Sequence, residues 1–189
     1  IKNVRVLDRT FNYNNKRAKE LLNLFLEFSP DICFHLEIHP ALLSEELKKE
    51  LAGLPKGLLH LEAGIQSLRE PVLEQSRRMG RLSDALDGLK YLCSLHNMET
   101  HADLIAGLPL YHLSEIFEDI HTLAEYGAGE IQLESLKLLP GTEMRRRAEE
   151  LGIQYAPLPP YEVLQTREIS VDELQTARVL SRLLDGFYN

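Results

Sequence analysis

Three stretches of the sequence place a histidine two residues ahead of a carboxylate: His35 with Glu37, His60 with Glu62, and His101 with Asp103. A fourth stretch, Gln132 with Glu134, repeats the spacing with an amide in place of the imidazole. Residues i and i+2 of a strand face the same side. If these segments are extended, each pair lands on one face, and Leu36, Leu61, Ala102 and Leu133 point to the other. A buried carboxylate is costly unless it is paired or bound to a ligand. Several of them on one sheet face therefore require a cation, an amine-bearing ligand or a wet cavity. Imidazole with carboxylate suits Zn²⁺, Mn²⁺ or Fe²⁺. One reading is thus a metal-dependent hydrolase or lyase using His35, Glu37, His60, Glu62, His101 and Asp103. Another is a degenerate, non-catalytic barrel scaffold in which each pair satisfies itself.

The elements that must position these residues alternate along the chain. Apolar runs lie at Val4 to Leu7, Ile32 to Ile38, Leu58 to Ile65, Thr100 to Ile105 and Glu130 to Leu136. Between them the apolar spacing becomes helical. Ala18, Leu21, Leu22, Phe25 and Phe28 make one stripe, and Ser44 caps a second helix with Glu45 and Glu46 at its positive end. Ser83 to Leu95 buries Leu86, Leu89 and Leu92, and Ser114 to Tyr126 turns Ile116, Phe117, Ile120, Leu123 and Ala124 inward. A further helix is expected from Thr142 to Leu151. Alternating βα units give parallel strands through right-handed crossovers. Five units fall short of the eight in a closed barrel of about 250 residues. The expected fold is an α/β partial (β/α) TIM-like barrel over residues 1–152. Residues 153–189 form a Pro-containing linker and a C-terminal helix packed on the barrel. In that tail, Ser170 and Glu173 fit a capping box, and Leu174, Ala177, Leu180, Leu184 and Phe187 form the buried stripe.

Composition excludes several classes of protein. With 21 basic and 29 acidic residues, the formal charge of −8 argues against nucleic-acid binding through phosphate neutralisation. No apolar run approaches the roughly 18 residues of a membrane span. Cys33 and Cys93 make neither a disulfide framework nor a metal knuckle, so a reducing cytoplasm is the expected compartment. The chain opens on Ile1 inside an apolar segment, and a fragment of a longer protein is expected.

Loops after the strands add polar and backbone groups. Gly64 to Ser67 follows the carboxylate of the third run, and Gly107 to Pro109 and Leu139 to Thr142 follow the fourth and fifth runs. Glycine at a strand exit lets backbone approach a ligand. Arg77, Arg78 and Arg81 could meet a ligand carboxylate through bidentate bonds.

Glu62-Ala63-Gly64-Ile65-Gln66-Ser67, Asp103-Leu104-Ile105-Ala106-Gly107-Leu108-Pro109 and Leu139-Pro140-Gly141-Thr142 resemble the later strands of radical S-adenosylmethionine enzymes. The branch they resemble is the cobalamin-binding type, which is similar to radical methylthiotransferases and oxygen-independent coproporphyrinogen oxidases. Glu37-Ile38-His39-Pro40 resembles the family's third-strand segment. Asp8 to Asn12, Pro160 to Leu164 and Phe187-Tyr188-Asn189 resemble an uncharacterised subgroup of it.

The resemblance implies a barrel that binds S-adenosylmethionine and a four-iron four-sulfur cluster. It assigns Glu62 to the methionine or ribose part, with Gln66 and Ser67 nearby and Glu37 on the neighbouring strand. It assigns Arg78 to the methionine carboxylate, Asp103 and the Gly107 backbone to the adenine or substrate region, and Leu139 to Thr142 to the adenine. The family's C-x3-C-x2-C motif, whose thiolates hold three of the four irons, is missing here. The five strands would then be strands two to six of a six-stranded barrel. The first strand, its cysteine loop and any cobalamin-binding domain would come from an upstream segment of the same protein, and the piece alone would be inactive. The resemblance leaves the substrate open.

Overall fold

The computed structural model describes residues 2–28, 32–78 and 80–189. Five parallel strands form one sheet in sequential order: β1 (Asn3–Arg5), β2 (Cys33–Ile38), β3 (Leu59–Gln66), β4 (Glu99–Ala106) and β5 (Glu130–Ser135). Helices α1 (Asn15–Leu26), α2 (Glu45–Ala52), α3 (Glu70–Gln75), α4 (Leu82–Cys93) and α5 (Leu113–Glu125) fill the connections. This is the partial (β/α) barrel expected from the alternation. The first strand is shorter than the apolar run predicts, and Leu7 is exposed. Helix α3, with Glu70 in its first turn, has too few apolar positions to be read from the sequence.

Strand parity decides what is buried. Phe34, Leu36 and Ile38 of β2, and Leu59, Leu61, Ala63 and Ile65 of β3, are all buried, and the residues between them are half-exposed. Ala102, Leu104, Ile131 and Leu133 continue the buried set on β4 and β5. The opposite face carries the paired polar residues. Parallel sheets in such folds are usually apolar on both faces, so a polar face marks a departure made for another purpose.

The chain divides into two compact units. The first comprises Ile1–Ile65, Gly80–Ala102 and Leu123–Glu130. In it, Phe25 of α1 stacks on Phe34 of β2 with centroids 4.0 Å apart. The α2 dipole is complemented as expected: Ser44 Oγ accepts from Leu47 N, and Glu45 and Glu46 occupy the first turn. Helix α4 crosses the turn Pro40–Leu42 at Gly88, where a Cβ would lie 2.2 Å from the Pro40 carbonyl oxygen. Backbone meets backbone there, so no side chain can move to relieve the overlap. Gly88→Ala is expected to destabilise by about 2 kcal/mol, because overpacking outweighs the gain in helix propensity of roughly 1 kcal/mol. A lower urea midpoint with unchanged slope checks this.

The second unit comprises Gln66–Met79, Asp103–Thr122 and Ile131–Asn189. The expected helix from Thr142 to Leu151 is regular only over α6 (Glu143–Arg146), and turns carry the chain on to Gly152 at φ +67°. The proline-containing segment is flanked by a small antiparallel pair, β6 (Gln154–Tyr155) and β7 (Val163–Gln165), that composition alone conceals. Helix α7 (Val171–Leu183) begins with the expected capping box: Ser170 Oγ accepts from Glu173 N and the Glu173 carboxylate accepts from Ser170 N. Ser170→Ala is expected to cost about 1 kcal/mol in thermal or urea unfolding. Leu174, Ala177 and Leu184 are buried as expected, but Phe187 is 88% exposed. The turn over Leu184–Tyr188 is π-helical, which rotates Phe187 off the α-helical stripe. Asn189 instead finishes β5 like a strand partner. Its side-chain amide donates to Ile131 O, and its Oδ1 accepts from Ile131 N.

Phe117 was expected on the inward face of α5 and is 46% exposed. The buried positions of that helix are Ile116, Asp119 and Leu123. An acid occupies a slot that the apolar pattern would give to a hydrophobe.

Candidate functional site

In the first unit, register gathers the polar residues. Arg5 of β1 lies opposite His35 of β2, and His35 opposite His60 of β3. Glu37 lies opposite Glu62. The Arg5 guanidinium donates to Glu62 Oε2 at 2.7 Å and stands 3.7 Å from Glu37 Oε1. His35 Nε2 is hydrogen-bonded to the same Glu62 oxygen at 2.8 Å. Both partners use Oε2 rather than Oε1. Partial burial of Glu62 favours its acid form, but the His35 bond and the Arg5 charge outweigh it and hold the carboxyl below the usual glutamate value.

The imidazoles form a row across the sheet. His35 stacks on His60 at 4.6 Å, and His60 meets His101 edge-on at 6.0 Å. His60 Nδ1 is 3.7 Å from Glu99 Oε2, and His101 Nδ1 is 3.8 Å from Glu130 Oε2. Burial, then repulsion from His35 and His101, push the His60 pKa down, with Glu130 and Glu99 opposing. The balance favours the neutral ring. Among the described residues, the group able to hold a metal ion is His60, His101 and Glu130. Of the six ligands considered from sequence, this group includes only His60 and His101.

In the second unit, the loop after β3 is clamped by Asp119, which is 1% exposed. Its carboxylate accepts from Leu68 N at 2.8 Å, Arg69 Nε at 2.9 Å and the Tyr111 hydroxyl at 2.6 Å. Ser67 Oγ donates to it at 3.4 Å and accepts from Arg69 N. Burial, then the nearby Asp119 charge, push the Tyr111 phenol pKa strongly up, so it remains a donor. Ser67 is itself fully buried, and its hydroxyl is spent on this clamp. Gln66, just before it, ends β3 with φ 74°, a strained conformation for a residue other than glycine.

The other expected site residues of this unit fall in distinct places. The protein around Arg78 disfavours its charge, and the Asp103 carboxylate favours it, so this pair interacts. Arg77 is instead paired with Glu143. In the first unit, Arg81 is paired with Asp84. Gly107 takes φ +91° at the exit of β4, against Val163, Leu136 and Leu174. Leu139 is 45% exposed, in a loop closed by the Thr142 hydroxyl donating to Leu139 O. Gln132 Nε2 donates to Glu134 Oε1 at 2.8 Å, which satisfies that pair locally. A cavity of about 270 Å³ is lined by charged residues that include Glu134, Lys137, Glu162 and Arg178.

Arg5, Glu99, Glu130 and Asp119 were missed from sequence. Glu99 and Glu130 have a readable signal, since each shares strand parity with a residue already chosen; Arg5 lies on β1, which carries no chosen residue, and only its register with His35 brings it into the group. Asp119 has none, because Leu68 and Arg69 lie 51 and 50 residues away and the nearer Tyr111 fits no local pattern.

The cysteines do not fit an iron–sulfur cluster. Cys33 sits in β2 and Cys93 in α4, and both are free thiols. Burial and the Glu99 charge raise the Cys33 pKa, and burial pushes Cys93 up to about 11. Cluster ligation needs closely spaced thiolates. No helix among the described residues is long and apolar enough to cross a membrane.

The family described as "Protein of unknown function (DUF4080)" matches residues 149–189. No curated protein matches the sequence. Solved structures do match it. TsrM from Kitasatospora setae, a radical S-adenosylmethionine methyltransferase solved with cobalamin and a [4Fe-4S] cluster, is 18% identical with a TM-score of 0.67, over 85% of this chain and 34% of that one. Escherichia coli coproporphyrinogen III oxidase (HemN), a radical S-adenosylmethionine enzyme, is 18% identical with a TM-score of 0.63, over 93% and 38%. Elp3 from the archaeon Methanocaldococcus infernus is 14% identical with a TM-score of 0.58, over 78% and 40%. The chain thus spans about a third to two fifths of the length of the structures it matches. What these likenesses establish is the fold: this chain has the partial (β/α) barrel found in radical S-adenosylmethionine enzymes, one of them a cobalamin-containing methyltransferase.

Proposed function

We propose that the chain is part of the catalytic domain of a radical S-adenosylmethionine enzyme, and that its polar sheet face binds S-adenosylmethionine. The observation that carries this reading is the Glu37–Glu62 cross-strand pair, gripped by Arg5 and His35, on a sheet of this fold. The residues suit the ligand. S-adenosylmethionine offers an ammonium group and ribose hydroxyls as donors, and Glu62 Oε1 and Glu37 are acceptors. A partly buried, ionised Glu62 recognises an ammonium strongly, because charge-assisted bonds are about twice as strong as neutral ones. The second unit, taken by itself, carries the other positions that the resemblance assigns to this ligand: Arg78 with Asp103 beside it, Gln66, the Gly107 backbone and the Leu139 loop. Ser67 serves by fixing the loop that follows Gln66. Bound next to a reducing cluster, S-adenosylmethionine supplies a 5′-deoxyadenosyl radical, and the residues present here bind and orient it.

The cluster itself does not fit this chain's two thiols. In this reading another segment of the same protein holds it, on one further βα unit of roughly 40 residues encoded ahead of Ile1. A cobalamin-binding domain, where the parent has one, also lies there. The formal charge of −8 argues against a nucleic-acid substrate, and the compartment in this reading is a reducing cytoplasm that keeps both thiols free. The test starts with the encoded sequence. Three closely spaced cysteines ahead of Ile1, with calorimetric binding of S-adenosylmethionine to the protein that carries them, are the expected results. A parent without such cysteines, or one that binds no S-adenosylmethionine, overturns the reading.

A further inference from the structure

We propose that His60, His101 and Glu130 form a site for one divalent transition-metal ion of the zinc class, at the end of the sheet where the strands begin. His60 is the second residue of β3, His101 the third of β4 and Glu130 the first of β5. All three belong to the first unit. This is the end opposite to the strand exits, where ligands bind in α/β folds. The site therefore stands apart from the reading above and uses none of its ligand contacts.

Three observations carry the proposal. One donor atom from each of the three residues lies within 4.8 Å of the other two. Tetrahedral zinc with bonds of about 2.0–2.1 Å needs donors roughly 3.4 Å apart. His101 Nδ1 and Glu130 Oε2, at 3.8 Å, nearly meet that spacing. Rotation of the side chains by about an ångström closes the rest. The donor set comes next: two imidazoles and one carboxylate is a borderline-soft set that favours Zn²⁺ over Mg²⁺ or Ca²⁺. It leaves a fourth position for water or another ligand. Finally, the packing is hard to explain without a cation. His60 Nε2 is buried with no hydrogen-bond partner among the described residues, inside a row of three imidazoles. A buried polar atom left in that state costs stability, and coordination would satisfy one nitrogen of the ring. A cavity of about 420 Å³, lined by His60, Glu99, Cys33 and His96 among others, gives an ion a route in.

A metal at this place would tie three adjacent strands together, so its first effect is on stability. The probe is Zn²⁺ alone, with Co²⁺ as a spectroscopic reporter, added to tag-free protein stripped with chelator. The expected result is one equivalent bound with a Kd of about 10 µM or tighter, a higher melting temperature, and tetrahedral Co²⁺ absorption. Glu130→Gln and His101→Ala are each expected to weaken binding by roughly tenfold or more. His96→Ala, on the cavity wall outside the donor set, is expected to leave it unchanged. Should His101→Ala fail to fold, as judged by circular dichroism, the near-isosteric Glu130→Gln carries the test. Lack of stoichiometric binding at about 100 µM Zn²⁺ overturns the proposal. So does binding that survives Glu130→Gln unweakened, or that is lost with His96→Ala. None of these outcomes bears on S-adenosylmethionine.

Discussion

Asp119→Ala is expected to lower stability by about 3–5 kcal/mol, the range for removing one partner of a buried, hydrogen-bonded ion pair. The side chain is 1% exposed and accepts from Leu68 N, Arg69 Nε, the Ser67 hydroxyl and the Tyr111 hydroxyl. Its loss strands all four donors, two of them on residues with no solvent exposure, Ser67 and Tyr111. Water cannot replace the acceptor without opening the core. For a chain of this size, each kcal/mol shifts Tm by about 2–4 °C, so a fall of roughly 10 °C is expected in a thermal melt. Tyr111→Phe removes one donor and leaves the acid with the others, so it should cost about 1 kcal/mol. Asp119→Asn should fall between, because it keeps one acceptor oxygen but loses the charge opposite Arg69. Equal effects for the three variants would contradict the view of Asp119 as the hub. The consequence for function is local. The clamp holds the loop that begins at Ser67, next to the strained Gln66.

The polar sheet face was legible in the sequence because strand parity is strict. The i, i+2 spacing of His35/Glu37, His60/Glu62 and His101/Asp103 needs no knowledge of pairing, and the apolar residues between them are buried as expected. The same parity carried one step toward the strand starts reaches Glu99 and Glu130, which lie outside the apolar residues that define each run. Arg5 is different: β1 carries no such pair, and only register with His35 brings it to the group. Register was not legible. Whether His35 lies opposite His60 is fixed by pairing of strands 25 residues apart along the chain, through helix packing that no local pattern reports. Register is what converts separate pairs into one row of imidazoles with Glu62 between Arg5 and His35.

Asp119 marks the other limit. A helix face is read by its hydrophobes, and Phe117 outranks an aspartate whose compensating donors, the nearby Tyr111 hydroxyl apart, sit about 50 residues away. The short β6–β7 pair escaped for a different reason. Two- and three-residue strands around prolines carry too little pattern, and their pairing comes from the tertiary fold.

Glu62→Gln is expected to weaken S-adenosylmethionine binding about ten- to a hundredfold in the protein that carries the upstream segment. The amide fills the same volume but removes the negative charge that an ammonium donor needs. A hydrogen bond to a charged group contributes about 1.5–3 kcal/mol, and each 1.4 kcal/mol is roughly tenfold in affinity. The substitution also leaves Arg5 without its 2.7 Å partner, but Arg5 is more than half exposed and water can take over. The fold should therefore lose less than about 1 kcal/mol, which separates a binding defect from a folding one. Glu37→Gln tests the geometry. Glu37 stands 3.7 Å from Arg5, against 2.7 Å for Glu62, and is the more exposed of the two, at 31% against 17%. It should therefore cost less affinity than Glu62→Gln. Calorimetry of the three proteins, each with a melting curve, decides the matter. If wild type binds S-adenosylmethionine and Glu62→Gln binds it equally well, the ligand is held elsewhere. The Arg5–Glu62–His35 group would then be an internal brace of the sheet.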